Sequence, residues 1–239
     1  MRMNNRRWAA LAVAALMLAG CGPSEEEKRA AFLVEAYTMN AAGSGKSPLH
    51  LAVQDGHGDA VSLLIEAGAD VDAKNPYDGL TPLTRAARRG KAEVAALLIE
   101  AGADVNAGAD GGYTALVEAV RSGSMELVEL LIEAGADVDA KGGGGNTALM
   151  QAAWLGHAEM AALLIEAGAD VDAKNEYDGE TALMRAARRG KAEVAALLIE
   201  AGADVNAKSD AGITALMFAL NGGHAEVAKL LLESGAKAP

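Results

Sequence analysis

One phrase, Gly-Ala-Asp-Val-Asp/Asn-Ala, begins at Gly68, Gly102, Gly135, Gly168 and Gly202 and ends degraded as Gly235-Ala236-Lys237. A Thr or Ser heads the segment after each gap, at Ser47, Thr81, Thr114, Thr147, Thr181 and Thr214, in steps of 34, 33, 33, 34 and 33 residues. A period of that length marks an array of small units. Each is too small to bury its own apolar face, so a core forms only when neighbours stack. The segment 81–105 shows the unit. Thr81 is placed to cap a helix, and Pro82 falls at the first helical position, where its missing N–H costs nothing. Leu83, Ala86 and Ala87 form one apolar stripe that ends at Gly90; Val94, Leu97 and Leu98 drive a second helix, and Gly102 supplies its left-handed cap. A turn-rich finger through Gly112 then leads to Thr114. Composition fits this reading: 51% of residues are hydrophobic but only 3% aromatic, so the core must come from Ala, Leu, Val and Ile in thin, closely packed helical layers.

This pattern resembles the ankyrin repeat, and Ser47-Pro48-Leu49-His50-Leu51-Ala52 with Gly56-His57 matches its signature closely. Thr81-Pro82-Leu83 keeps the helix start, while later repeats carry Ala for Pro. The resemblance covers roughly Gly45 to Ala236. It implies an all-α fold: an ankyrin-repeat solenoid of helix-turn-helix units with β-hairpin-like fingers. Six repeats are expected over residues 45–239, starting near 45, 79, 112, 145, 179 and 212, behind an N-terminal capping helix at 25–44. Lys229, Glu233, Ser234 and Lys237 give the last repeat a polar outer face. A longer period lies underneath: Arg85–Ala107 is identical to Arg185–Ala207, and Ile65–Asn75 recurs at Ile165–Asn175, as a duplicated block of three repeats would give.

The N-terminus reads as an address. Arg2, Arg6 and Arg7 precede an apolar run of twelve residues, Trp8 to Ala19, which is too short for a spanning helix and suits a secretory signal. Leu18-Ala19-Gly20-Cys21 then resembles a bacterial lipobox, with the chain's single cysteine as the lipidated residue. Residues 1–20 are thus expected to be a lipoprotein signal peptide and 21–24 a short lipidated tether. The resemblance implies a periplasmic protein; Gly22, in place of the Asp of inner-membrane retention, points to the outer membrane. A plain secretory signal is the competing reading.

Catalytic and metal chemistry find little support. A single cysteine excludes an internal disulfide and a Cys-rich zinc site. Gly43-Ser44-Gly45-Lys46-Ser47 looks like the end of a phosphate-binding loop, but Asn40 stands where the pattern needs glycine. Asp70 and Asp72 have calcium-like spacing, yet Lys74 occupies a position that needs an oxygen ligand. His57, His157 and His224 hold the Gly-His position of the repeat, a structural place in the resemblance. The net charge of −12 argues against nucleic acid as a partner. No enzyme, no cofactor, no metal and no small-molecule substrate are expected.

What remains is a surface for an unknown protein partner. In ankyrin proteins partners lie on the fingertips and on the inward face of the first helices. Carried over by repeat phase, the fingers present Lys46, Tyr77, Leu80, Tyr113, Asn146, Tyr177, Glu180 and Ile213. The helix faces present Arg85, Arg88, Arg89, Arg121, Gln151, Trp154, Leu155, Arg185, Arg188, Arg189 and Phe218. Exposed Trp, Tyr and Arg dominate interface energetics, so a partner with acidic or mixed groups and a pocket for Trp154 is expected. Alternatively the arginines are solvated and paired with Asp70, Asp72, Asp104 or Asp170, and Trp154 packs under a finger. The resemblance to periplasmic ankyrin proteins implies a stress-defence or toxin-protection role; an envelope scaffold acting through self-association or cell-wall contact is the alternative.

Overall fold

A computed structural model describes residues 25–44 and 47–237. The residues expected to form a signal peptide (1–20) and a tether with Cys21 (21–24), and Lys46, lie outside the described residues. Among the described residues there are thirteen helices and no strands. They fall into two compact units that part after Asp110.

In the first unit, α1 (Glu25–Ser44) buries Val34, Tyr37 and Ala41, a stripe at helical spacing, against α2 (Pro48–Asp55) and α3 (Gly58–Glu66). The Tyr37 hydroxyl donates to Asp55 Oδ2 at 2.9 Å and also meets His57 Nδ1, which ties α1 to the first repeat. Burial, with help from the Asp55 carboxylate, raises the Tyr37 pKa. α4 (Pro82–Arg88) packs on α2 and on its own partner α5 (Ala92–Glu100).

The second unit holds four pairs: α6 (Ala115–Ser122) with α7 (Met125–Glu133), α8 (Ala148–Leu155) with α9 (Ala158–Glu166), α10 (Ala182–Arg188) with α11 (Ala192–Glu200), and α12 (Ala215–Asn221) with α13 (Ala225–Glu233). Helices α6, α8, α10 and α12 form one layer and α7, α9, α11 and α13 the other, so the pairs stack in solenoid fashion. Each first helix is buried at its small residues, such as Ala148, Ala152 and Ala153 on α8, which lets the layers approach closely.

The repeated Thr or Ser heads these helices as the sequence suggests. Each side-chain oxygen accepts the backbone N–H three residues on, as Thr81 does from Thr84 at 3.2 Å. The repeated acids organise the fingers. Asp70 Oδ1 accepts the Asp72 N–H at 3.0 Å, and Asp72 Oδ1 accepts the Asp104 N–H of the next repeat at 3.0 Å. The same link joins Asp139 to Asp170 and Asp172 to Asp204 in the second unit. One oxygen of each of the Asp70 and Asp72 carboxylates, Oδ1, thus serves a backbone N–H group. The fingers close with hairpin-type bonds, Asn75 N–H to Leu80 O at 2.9 Å and Asn175 N–H to Glu180 O at 3.0 Å, too few to make strands. His224 Nε2 lies 3.1 Å from the Arg188 carbonyl, linking the last two repeats.

At the end of the second unit Lys229 and Glu233 face water, 3.7 Å apart. Leu220 and Leu232 nevertheless stay 51% exposed each.

Candidate functional site

Finger and helix phase determine which residues face inward, but depth differs sharply among them. In the first unit the Asp78 carboxylate turns back from the finger onto α4. Arg85 Nη2 donates to Asp78 Oδ1 at 2.9 Å and Oδ2 at 2.7 Å, and Arg85 is only 7% exposed. Burial pushes the Asp78 carboxyl up, but the bond and charge of Arg85, the Leu80 N–H and the Arg88 charge outweigh it, and its pKa is lowered. Arg85 thus holds the finger and offers little surface to a partner. Arg89 is exposed, Arg88 half-buried, and Tyr77 stands out in solvent. Leu80, expected at a fingertip, is fully buried under it.

The second unit repeats this arrangement with changes. Arg185 Nη2 donates to Asp178 Oδ2 at 2.8 Å, as Arg85 does to Asp78. Where the first copy has Leu80, the second has Glu180, and it too is buried, at 2% exposure. Its carboxylate lies 3.0 Å from Arg185 Nε and also takes a bond from Arg188. Burial is the largest influence on Glu180 and raises its pKa against the opposing charges of Arg185 and Arg188.

Aromatic rings carry the arginines. The guanidinium carbon of Arg189 sits 4.7 Å from the Trp154 ring centroid and that of Arg185 5.9 Å from it. Arg188 lies 4.2 Å over Phe218, and Arg121 lies 5.9 Å over Tyr113 while pairing with the fully buried Glu118 at 3.1 Å. Trp154, Leu155 and Phe218 are half-buried, Tyr113 likewise, and Tyr177 is exposed. The acids that meet the arginines are therefore Asp78, Asp178, Glu180 and Glu118, rather than Asp70, Asp72, Asp104 or Asp170. Trp154 is a platform for two guanidinium groups, not a free knob awaiting a partner's pocket.

Two further details position these groups. Asn175 holds its finger from both sides: Nδ2 donates to Gly144 O at 2.7 Å and Asn146 Oδ1 at 2.8 Å, and Oδ1 accepts the Tyr177 N–H at 2.8 Å. Gly143 is small because Tyr113 crosses it: a Cβ there would lie 2.7 Å from the ring. Sequence phase missed Asp78, Asp178 and Glu118 as partners of the arginines. The Asp78–Arg85 and Asp178–Arg185 spacing of seven, present in both copies, was the available signal.

Among the described residues no group of three or more His, Cys, Asp or Glu side chains is arranged to hold a metal ion. No helix there is long and apolar enough to cross a membrane.

The family model of ankyrin repeats (three copies) matches residues 10–109, 69–142, 107–175 and 149–238. No curated protein matches the chain. The crystal structure of an ankyrin repeat domain from Acinetobacter baumannii AYE is 35% identical to it, superposes with a TM-score of 0.73, and is covered over 98% of its own length by 80% of this chain.

Proposed function

The chain belongs to the ankyrin-repeat family, and from that premise we propose a non-catalytic module that binds a protein partner in the bacterial envelope, held there by a lipid on Cys21. One observation carries the reading: α6, α8, α10 and α12 gather arginines and half-buried aromatic rings on one row of first helices. Arg and Trp are the side chains that concentrate binding energy at protein interfaces. The surface includes Arg121, Trp154, Leu155, Arg188, Arg189 and Phe218, with Tyr113 and Tyr177 on the fingers. In the first unit Arg88, Arg89 and Tyr77 take the corresponding places. The module uses no cofactor, nucleic acid or small-molecule substrate, and serves stress defence or protection against toxins. More than one acyl chain on Cys21 makes the anchor stable, and the outer membrane is its site.

Crosslinking and pull-down from the protein's own membranes tests this. Reversing charge in the full chain at Arg88 and Arg89, or at Arg188 and Arg189, abolishes capture of native envelope partners; unchanged capture by both double variants refutes the inward-face reading. Cys21→Ser releases the protein from the membrane fraction, and persistent membrane association refutes the lipid anchor.

A second reading, an envelope scaffold working by self-association, draws on the exposed Leu220 and Leu232 of the last repeat. Concentration-dependent oligomers that vanish with Leu220→Lys and Leu232→Lys would favour it.

A further inference from the structure

We propose that Arg189, set over Trp154, receives a carboxylate side chain of the protein partner. The inference rests on the protein-binding reading above and names the chemistry of that site in the second unit.

The three arginines of this helix end are not equivalent. Arg185 is held by Asp178 at 2.8 Å and Glu180 at 3.0 Å. Arg188 binds Glu180 and covers Phe218. Arg189 is exposed, contacts the Trp154 ring, and has no carboxylate within ion-pair distance among the described residues. Two carboxylates thus face three guanidinium groups, and the uncompensated charge falls on Arg189, whose guanidinium carbon lies 4.7 Å from the Trp154 centroid. Exposed to solvent, the Arg189 guanidinium offers N–H groups in the fork geometry that grips a carboxylate through two parallel bonds. The ring also holds it in place, so less side-chain entropy is lost on binding.

Repeat register shows that Trp154 is not there by rule. Seven residues after the capping Thr or Ser, the repeats carry Gln54, Arg88, Arg121, Trp154, Arg188 and Asn221. Eight residues after it they carry Asp55, Arg89, Ser122, Leu155, Arg189 and Gly222. Trp154 and Leu155 are the apolar exceptions in otherwise polar or small rows. An arginine at the end of a helix is explained by the helix dipole alone, and Arg89 and Arg189 share that position within an identical 23-residue segment. Of these two, Arg189 alone has a ring under it among the described residues; Gln54 stands where the second copy has Trp154. The duplication supplies its own control.

The test follows the arginine Nε–H resonances of the full chain in detergent micelles by NMR, with R89K and R189K variants to assign them. N-acetyl-Glu-Leu-amide is titrated against N-acetyl-Gln-Leu-amide. Arg189 is expected to shift saturably with the Glu dipeptide, about threefold more tightly than Arg89, and to stay still with the Gln dipeptide. Trp154→Gln brings Arg189 down to the Arg89 response, whereas Trp154→Phe keeps most of it. Equal responses at the two arginines, or a shift with the Gln dipeptide, overturn the assignment. If membrane capture depends on Arg188 and Arg189 while Arg189 ignores the Glu dipeptide, the carboxylate assignment falls and protein binding stands. If Arg189 responds as expected but capture survives the charge reversals, the protein source of the carboxylate falls instead.

Discussion

Glu180→Leu should make this protein more stable. The substitution installs the residue that the first copy already has: Leu80 is fully buried in the same finger, so the site accommodates it. Glu180 is 2% exposed, and removing an ionised carboxylate from water costs several kcal/mol that its partners must return. They return it incompletely, since burial outweighs Arg185 and Arg188 and raises the pKa. With leucine in place, Arg185 keeps Asp178 at 2.8 Å and Arg188 keeps Phe218 and its half-exposed position. The loss is the charged bond from Arg188 and the ion pair with Arg185 Nε, together about 2–3 kcal/mol. The gain is the burial of a leucine side chain, about 2 kcal/mol, together with the carboxylate's desolvation. The net expectation is about 1–2 kcal/mol of added stability at neutral pH, or about 2–8 °C in the melting temperature for a chain of this size. The pH dependence has a definite sign. A carboxyl whose folded pKa is raised contributes stability below the unfolded pKa and loses it as pH rises through the folded value. The wild-type deficit is therefore largest at neutral pH, and the gap to E180L closes on acidification. Scanning calorimetry of both chains between neutral pH and the ordinary glutamate range measures this. A lower melting temperature for E180L at neutral pH, or a gap that widens on acidification, refutes the reasoning.

Arg85→Ala removes the clamp on Asp78 and should cost about 1–3 kcal/mol by chemical denaturation, well above the effect of Arg89→Ala on the surface. The lowered Asp78 pKa adds stability above the ordinary aspartate range that is lost as pH falls through the folded value, and R85A weakens that acid sensitivity. Tyr37→Phe deletes the hydroxyl that meets Asp55 and His57; about 1 kcal/mol is lost, and amide exchange should quicken in α1 while α4 and α5 keep their protection. Gly179→Ala should destabilise by about 1–3 kcal/mol, because φ is +65° there and a Cβ would lie 2.3 Å from Asp210 Oδ1, whereas Gly168→Ala, with nothing near it, pays only for its backbone.

The helical architecture was open to reading because it depends on period: capping Thr, apolar stripes and left-handed glycines recur at fixed intervals, and each has a local physical cause. The surface was less legible, since phase says which way a side chain points and not how deep it lies. Arg85 and Arg89 share one helix end, but only Arg85 meets the Asp78 carboxylate that the finger folds back over it. Leu80 and Glu180 looked like fingertip residues, yet the hairpin bond to Asn75 or Asn175 draws their backbone inward and buries both. Tyr77 and Tyr177, at the outer bend of the same fingers, do stand in solvent. Trp154 was visible as an oddity in its row, but the guanidinium groups over it come from the next repeat, a contact that no period announces.

The duplicated segment has a consequence for how this chain reaches its native state. Arg85–Ala107 and Arg185–Ala207 are chemically indistinguishable, so a chain in the act of folding cannot tell them apart by their own residues. Only what flanks them differs: Gln54 against Trp154, Leu80 against Glu180, Glu118 against Phe218. Register degeneracy of this kind is a recognised source of kinetic traps in repeat proteins. Trp154 then tags the second copy: a second-copy segment docked on the repeat of Gln54 leaves its Arg189 without a ring. On that view the least repetitive residues of the array are also what keeps its bookkeeping of neighbours correct.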